Sequence, residues 1–131
     1  MKAVVLYEQS KPLVVEEIDL ADPRAGEVRV KLAGAGVCHS DYHLMDGHMT
    51  VPRLPFVMGH EGAGTILNVG VGVTSLAPGD HVIFSLAGQC GHCRNCTVGR
   101  PGLCETYDRE PVMPDGTTRF ARDGAPYYHR W

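Results

Sequence analysis

Short apolar runs separated by turn residues fill most of the first ninety positions, a pattern typical of β-strands. Between positions 27 and 32, charged residues alternate with apolar ones, which predicts one buried face and one wet face. Ser10-Lys11-Pro12 and Pro78-Gly79-Asp80 are turn signals between such runs. The predicted strands cover residues 2–7, 13–18, 27–32, 64–69 and 81–86.

One short helix interrupts this pattern. Ser40 or Asp41 is a suitable cap for it, and it should end near Met45, before Gly47. After Cys104 the proline and glycine content predicts a loop-rich tail, in which a hairpin at Asp123-Gly124 is one interpretation. The tail's punctuating residues are Pro111, Pro114, Gly116, Gly124 and Pro126. The predicted fold class is mostly β with minor α.

Length and charge narrow the function. The 131 residues, 44% of them hydrophobic, suit one folded unit, and no repeat or linker divides them. A net charge of -3 without a basic run argues against nucleic acid as a partner. No apolar segment has the length of a signal peptide core or a membrane span, so we expect a soluble, cytoplasmic protein.

Four of the five cysteines lie within fifteen residues, at Cys90, Cys93, Cys96 and Cys104. Reduced thiols at this spacing favour a tetrahedral zinc site within a lobe at residues 88–105. A disulfide pair and an iron–sulfur cluster are the alternatives, although bacterial cluster spacing has a shorter final gap and a proline where Glu105 stands. Four thiolates leave no open position, so such a zinc would be structural.

Two further polar clusters lie beside the ends of predicted strands. The first extends from Cys38 to His43, and the second contains His60 and Glu61. Cysteine and histidine are common ligands of a catalytic zinc. Such a zinc also keeps one coordination position open for water or substrate. The alternatives are packing roles for Cys38 and His60 and capping of the helix by its first polar residues.

These motifs together resemble those of the zinc-dependent medium-chain alcohol dehydrogenases. The resemblance rests on Gly59-His60-Glu61 with Gly64, Gly70 and Val73, on Pro78-Gly79-Asp80-His81-Val82, on Cys38-His-Ser-Asp41 and on the four-cysteine lobe. It implies a GroES-like, partly open β-barrel with a structural zinc lobe, spanning residues 1–131. The motifs look closest to the branch that oxidises primary alcohols or thiol adducts of formaldehyde.

The resemblance also implies a role for individual residues. Cys38 and His60 match ligands of the catalytic zinc, with Glu61 as the acidic neighbour beside the metal. Asp41 matches a carboxylate that orients the metal-bound imidazole. Three further matches are Ser40 and His43, which correspond to a proton relay, and His39, which corresponds to a contact with the cofactor pyrophosphate.

The same resemblance predicts what lies outside this sequence. Family members continue into a dinucleotide-binding Rossmann domain, and a further cysteine there completes the catalytic zinc, whereas no GxGxxG loop occurs here. We therefore expect the incomplete N-terminal part of an NAD(P)-linked alcohol dehydrogenase, inactive alone, whose full-length form acts on small alcohols or aldehydes and is a possible homo-oligomer. The alternative is a stand-alone zinc-holding structural or binding module without dehydrogenase activity.

Overall fold

A computed structural model describes residues 1–106 and 112–129, which form strands and a few short helices. The strands are β1 (Lys2–Leu6), β2 (Val14–Glu17), β3 (Asp19–Leu20), β4 (Val28–Gly36), β5 (Phe56–Val57), β6 (Glu61–Val69), β7 (His81–Ile83), β8 (Phe120–Arg122) and β9 (Ala125–Tyr127). The helices are α1 (His39–Asp46), α2 (Arg94–Thr97) and a 3₁₀ turn at Pro101–Leu103.

The strands form three open, three-stranded sheets, ordered β2-β1-β5, β3-β8-β9 and β4-β6-β7. Every strand pair within them is antiparallel. The predicted mostly β class is therefore confirmed.

Two apolar clusters form around β1, and the first of them joins the first two sheets. In the first, Ala3, Val5 and Ile18 pack against Phe120 and Tyr127 from the other end of the sequence. The second joins Leu6, Val51 and Phe56, with Leu44 and Met45 of α1 packed on it. Val5 belongs to the first cluster and Leu6 to the second, and both are fully buried. Strand β1 contributes to both clusters because successive side chains of a strand point to opposite faces.

The sheet β4-β6-β7 is less covered. Contrary to the prediction for residues 27–32, no residue of β4 is buried, and Leu32 is 48% exposed. Ile83 of β7 is 83% exposed. The burial of β4 therefore does not follow the alternation of its sequence, since its first three residues are partly buried and the rest are exposed.

The observed element bounds differ from the predictions in detail. Strand β6 begins at Glu61 instead of position 64, while β7 ends at Ile83 instead of position 86. The predicted hairpin is present between β8 and β9, with Asp123 and Gly124 both at positive φ (51° and 80°). That conformation suits a two-residue turn whose twist matches its strands. Of the tail's punctuating residues, Pro111 lies outside the described residues.

The cap of α1 is Cys38, two or three residues before the predicted caps Ser40 and Asp41, so the helix begins at His39. Asp41 still serves the helix start, since its Oδ2 accepts the backbone N–H of Cys38 at 3.0 Å. Gly47 ends the helix in a left-handed conformation, as its place in the sequence predicts.

Within the described ranges, no helix has the length and apolar character needed to cross a membrane.

Candidate metal centres

The ends of two paired strands bring the first cluster together. In the antiparallel pair β4 and β6, Gly36 lies opposite Glu61, so the chain leaving β4 passes beside the chain entering β6. Cys38 and His60 therefore become neighbours although they are far apart in sequence. One ligand atom each from Cys38, His60 and Glu61 lies within 4.8 Å of the others.

Asp41 connects the two half-buried residues of this cluster. One of its carboxylate oxygens accepts the N–H of Cys38, while the other lies 3.2 Å from His60 Nδ1. The side chains of His60 and Asp41 are only 12% and 11% exposed. A proton on Nδ1 would be held by this carboxylate, leaving the Nε2 lone pair available for a metal ion.

Helix α1 carries the other polar side chains predicted for this site. Ser40 Oγ lies 3.4 Å from His60 Nε2, so its hydroxyl is beside the nitrogen that a metal would use. His43 is one turn further along the same helix face, and His39 is exposed at the helix start with its ring 4.6 Å from that of His43.

Gly36 makes the room that Glu61 occupies, a role the sequence did not reveal. A Cβ at position 36 would lie 2.2 Å from Glu61 Oε2. The Gly-rich bend before Cys38 is a signal for such a close approach, although it also fits an ordinary strand end. The sulfur, nitrogen and oxygen donors gathered here are all zinc ligands, so the residues present fit such an ion.

The four-cysteine lobe has the dimensions of a single-ion site. Cys90 Sγ is 4.0 Å from Cys96 Sγ, and Cys93 Sγ is 4.0 Å from Cys104 Sγ. Sulfurs bound at 2.3 Å to a tetrahedral zinc are about 3.8 Å apart, whereas a disulfide requires about 2.05 Å. All the described cysteines are free, so the geometry favours a metal over the disulfide alternative.

Hydrogen bonding and burial shift the pKa values of the thiols in opposite directions. Hydrogen bonding, first from the Thr106 hydroxyl and then from backbone N–H groups, lowers the pKa of Cys90 to about 5, and the same hydroxyl lowers the pKa of Cys104. Burial raises the pKa of Cys96 to about 11. A bound divalent cation favours the thiolate form of every ligand, so Cys96 would be deprotonated together with Cys90 and Cys104. Thr106 carries no sequence signal beyond its place two residues after Cys104.

Local hydrogen bonds shape the lobe around the sulfurs. The backbone N–H of Cys93 points to Cys90 Sγ at 3.3 Å, and that of Cys90 points to Cys104 Sγ at 3.4 Å. Asn95 closes the loop by donating to the carbonyl of Leu103 at 2.8 Å. His92, inside the cysteine loop, is exposed and contacts the Cys90 carbonyl through Nδ1.

Known proteins are similar to this chain over nearly its whole length. The profile of the alcohol dehydrogenase GroES-like domain matches residues 24–122. An NDMA-dependent alcohol dehydrogenase of Amycolatopsis methanolica is 51% identical over 128 residues, covering 96% of this chain and 34% of that protein. An S-(hydroxymethyl)glutathione dehydrogenase of Escherichia coli is 46% identical over 132 residues, covering 98% and 36%.

A solved structure agrees with these sequence relatives. The crystal structure of an alcohol dehydrogenase zinc-binding domain protein from Burkholderia ambifaria superposes with a TM-score of 0.89 at 36% identity, over 98% of this chain and 35% of that one. The chain thus spans about a third of the length of the curated relatives that it matches.

Proposed function

This chain belongs to the alcohol dehydrogenase family through its GroES-like domain, and from that membership we propose that it forms the zinc-binding part of an NAD-linked, zinc-dependent alcohol dehydrogenase. The family and the GroES-like fold inferred from the sequence are both confirmed by these likenesses. In the proposed reaction an alcohol is oxidised to an aldehyde or ketone by transfer of a hydride to the cofactor.

The observation that carries the proposal is the convergence of Cys38, His60 and Glu61, the first two of which contact one carboxylate. Asp41 contacts Cys38 and His60 at once, so a single buried side chain fixes both donors. Zinc bound there would act as a Lewis acid toward the alcohol oxygen. An orienting carboxylate of this kind raises the basicity of a ligating imidazole and sets its ring plane.

The proposed path for the alcohol proton runs along helix α1. Ser40 Oγ lies next to His60 Nε2 and is therefore placed to accept a proton from an alcohol bound at that point. His43, one turn further on, is partly exposed and can pass the proton toward solvent.

The cofactor part of the proposal rests on His39. This imidazole is exposed at the first residue of α1, where the helix end favours anions. We assign it to the pyrophosphate of NAD(P), which the rest of a full-length dehydrogenase would hold. Homo-oligomerisation and a cytoplasmic location belong to the same proposal, the latter because the chain uses its cysteines as free thiols.

The four-cysteine lobe is assigned a structural zinc, held by Cys90, Cys93, Cys96 and Cys104. Because all four sulfurs come from one short local segment, the lobe can hold its ion without help from the rest of a dehydrogenase. This feature favours the second candidate, a stand-alone zinc-holding module without dehydrogenase activity.

A chimera separates the two candidates. The corresponding region of the E. coli S-(hydroxymethyl)glutathione dehydrogenase is replaced by this chain. The rate of alcohol oxidation is then measured from the rate at which NAD is reduced. The first candidate predicts turnover of a primary alcohol or of the thiol adduct of formaldehyde. His60→Ala should then reduce the rate by at least about 100-fold, above the 10- to 100-fold typical for partners that only orient a ligand.

His81→Ala is the matched control, since His81 is an exposed histidine of β7 outside the cluster. It should leave the rate of the chimera within about 2-fold. A folded chimera that contains zinc but does not turn over would favour the stand-alone module. Retained turnover in the His60→Ala chimera would show that the catalytic metal is misplaced.

A further inference from the structure

A third group of potential metal ligands, which shares no residue with the two cysteine-containing groups, lies at the end of α1. His43, Asp46 and His48 each offer one ligand atom, and these atoms lie within 4.8 Å of one another. Asp46 Oδ1 is 2.8 Å from His48 Nδ1, and Asp46 Oδ2 is 3.9 Å from His43 Nδ1. Ligands bound at 2.0–2.2 Å to one tetrahedral ion are about 3.4 Å apart, between these two values.

The backbone around the group is fixed before any ligand binds. The left-handed Gly47 reverses the chain, and the N–H of Met49 returns to the carbonyl of His43 at 2.9 Å. Asp46 Oδ1 accepts the backbone N–H of His48 at 2.9 Å, which sets the carboxylate beside the second imidazole. Little ordering entropy therefore remains to be lost when an ion binds.

A neighbouring loop secures the same turn from outside. The side-chain amide of Gln9 donates to the carbonyls of Leu44 and Met49, both at 2.7 Å. The Ser10 hydroxyl donates to the carbonyl of Asp46 at 3.1 Å. These contacts are made to backbone carbonyls and use none of the imidazole or carboxylate side chains of the group.

Charge and hydrogen bonding both favour a cation here. The C-terminal end of a helix carries partial negative charge, to which Asp46 adds a carboxylate that is only 17% exposed. His43 Nδ1 is buried and has no hydrogen-bond partner among the described residues, and it faces that carboxylate across 3.9 Å. A buried nitrogen without a hydrogen-bond partner costs free energy of folding unless a donor, an acceptor or a metal ion binds it.

We infer that His43, Asp46 and His48 form a binding site for a divalent late first-row transition-metal ion such as Zn²⁺ or Ni²⁺. Two imidazoles and one carboxylate select these ions over Mg²⁺ and Ca²⁺, which prefer oxygen ligands. His48 is 73% exposed, so water can complete the coordination. The site does not depend on the proposed dehydrogenase function.

One consequence does rest on that function. A metal on Nδ1 of His43 would compete with the proton that the same imidazole is proposed to carry, so occupancy of this site would slow the proton relay.

The test uses the whole chain, first given two equivalents of zinc, which the two cysteine-containing centres take because thiolate ligands select zinc, and then adds Ni²⁺ alone. Calorimetry should show one further equivalent bound, and the side-chain NMR signals of His43 and His48 should broaden while those of His81 and His92 stay sharp. His48→Ala should weaken this added binding by at least about 10-fold, with Asp46→Asn as a second variant that removes the negative charge. His81→Ala is the matched control and should change nothing.

Equal binding by the chain and by its His48→Ala and Asp46→Asn variants would overturn the site, as would uniform broadening of all exposed histidines. Zinc content measured before and after the titration distinguishes this result from displacement at the cysteine lobe. Failure of this test leaves the chimera experiment unaffected, because calorimetry and NMR measure Ni²⁺ binding and do not depend on turnover.

Discussion

At the scale of single residues, Asp41 has the largest influence on the candidate catalytic centre. It caps the start of α1 through the Cys38 N–H and contacts His60 Nδ1 with its second oxygen. Helix formation and ligand placement therefore depend on the same carboxylate. The sequence left capping and chemistry as alternatives for this residue, whereas the geometry allows both.

Asp41→Asn should weaken metal binding at Cys38 and His60 by about 10- to 100-fold, because an amide is a poorer acceptor for a ligating imidazole. Titration of the chain with Co²⁺, followed by the visible absorption of the bound ion, measures this. The four-thiolate lobe should keep its affinity and so provides an internal reference. Asp123→Asn, at a 96% exposed hairpin aspartate, is the control. Equal Co²⁺ affinities for the two variants would contradict an orienting role.

How well the sequence predicted individual residues depends on the kind of signal. Cys38 and His60 are chemically distinctive and lie next to strand ends, so their meeting was predictable. Gly36 was not, because only the structure shows that Glu61 fills the space of its absent side chain. His48 looks like a surface histidine in sequence, and it joins Asp46 only because Gly47 turns the chain back.

At the scale of elements, the pair β4 and β6 positions the candidate catalytic centre. Its register shifts near Arg29 and again near Leu32, so the last residues of β4 are offset against the first residues of β6. Such bulges bend strands and redirect side chains next to functional sites. The sequence predicted the strands from their apolar pattern, but not these shifts or the full length of the pair.

Gly64→Ala tests the close approach within this pair. A Cβ at Gly64 would lie 2.2 Å from the carbonyl oxygen of Lys31, so the strands would have to separate. We expect a loss of about 2 kcal/mol or more in the free energy of unfolding, measured by urea denaturation.

Gly34→Ala is the matched control on the facing strand, since nothing lies within 4 Å of its Cβ position and its φ is not positive. Removing glycine there should be nearly neutral or slightly stabilising. If both variants lose the same stability, the cause is strand propensity and not the contact with Lys31.

At the scale of the whole molecule, one buried cation joins distant parts of the chain. The Arg119 side chain is 7% exposed and donates to Glu27 at 2.8 Å and to Asp115 at 2.7 Å. Arg119 holds the pKa of both carboxyls below their usual values, while the two carboxylates raise the pKa of Arg119. Sequence patterns gave no hint of this network, because Glu27 is far from Arg119 and Asp115 in the chain.

The network predicts acid sensitivity. A carboxyl whose pKa is lowered by folding contributes stability above its unfolded pKa, about 4.5 for Glu27, and loses it as pH falls through the folded value. Urea midpoints measured from pH 7 to pH 3 should therefore drop below about pH 4.5. Glu27→Gln should cost about 2 kcal/mol at pH 7 and flatten this drop.

Glu8→Gln, at an exposed position, is the reference for that comparison and should keep the full acid-induced loss. A pH profile of Glu27→Gln that runs parallel to the unchanged chain would assign the acid sensitivity to other groups.

The first apolar cluster also has a consequence for synthesis on the ribosome. Val5 reaches its packing partners Phe120 and Tyr127 only after about 120 further residues have been added, which takes on the order of 6–24 s at bacterial to eukaryotic elongation rates. Until then the apolar side chains of β1 lack their partners Phe120 and Tyr127, whereas β4 and β6 can already pair and α1 can already form. The nascent chain therefore exposes an aggregation-prone strand that a chaperone holdase would recognise.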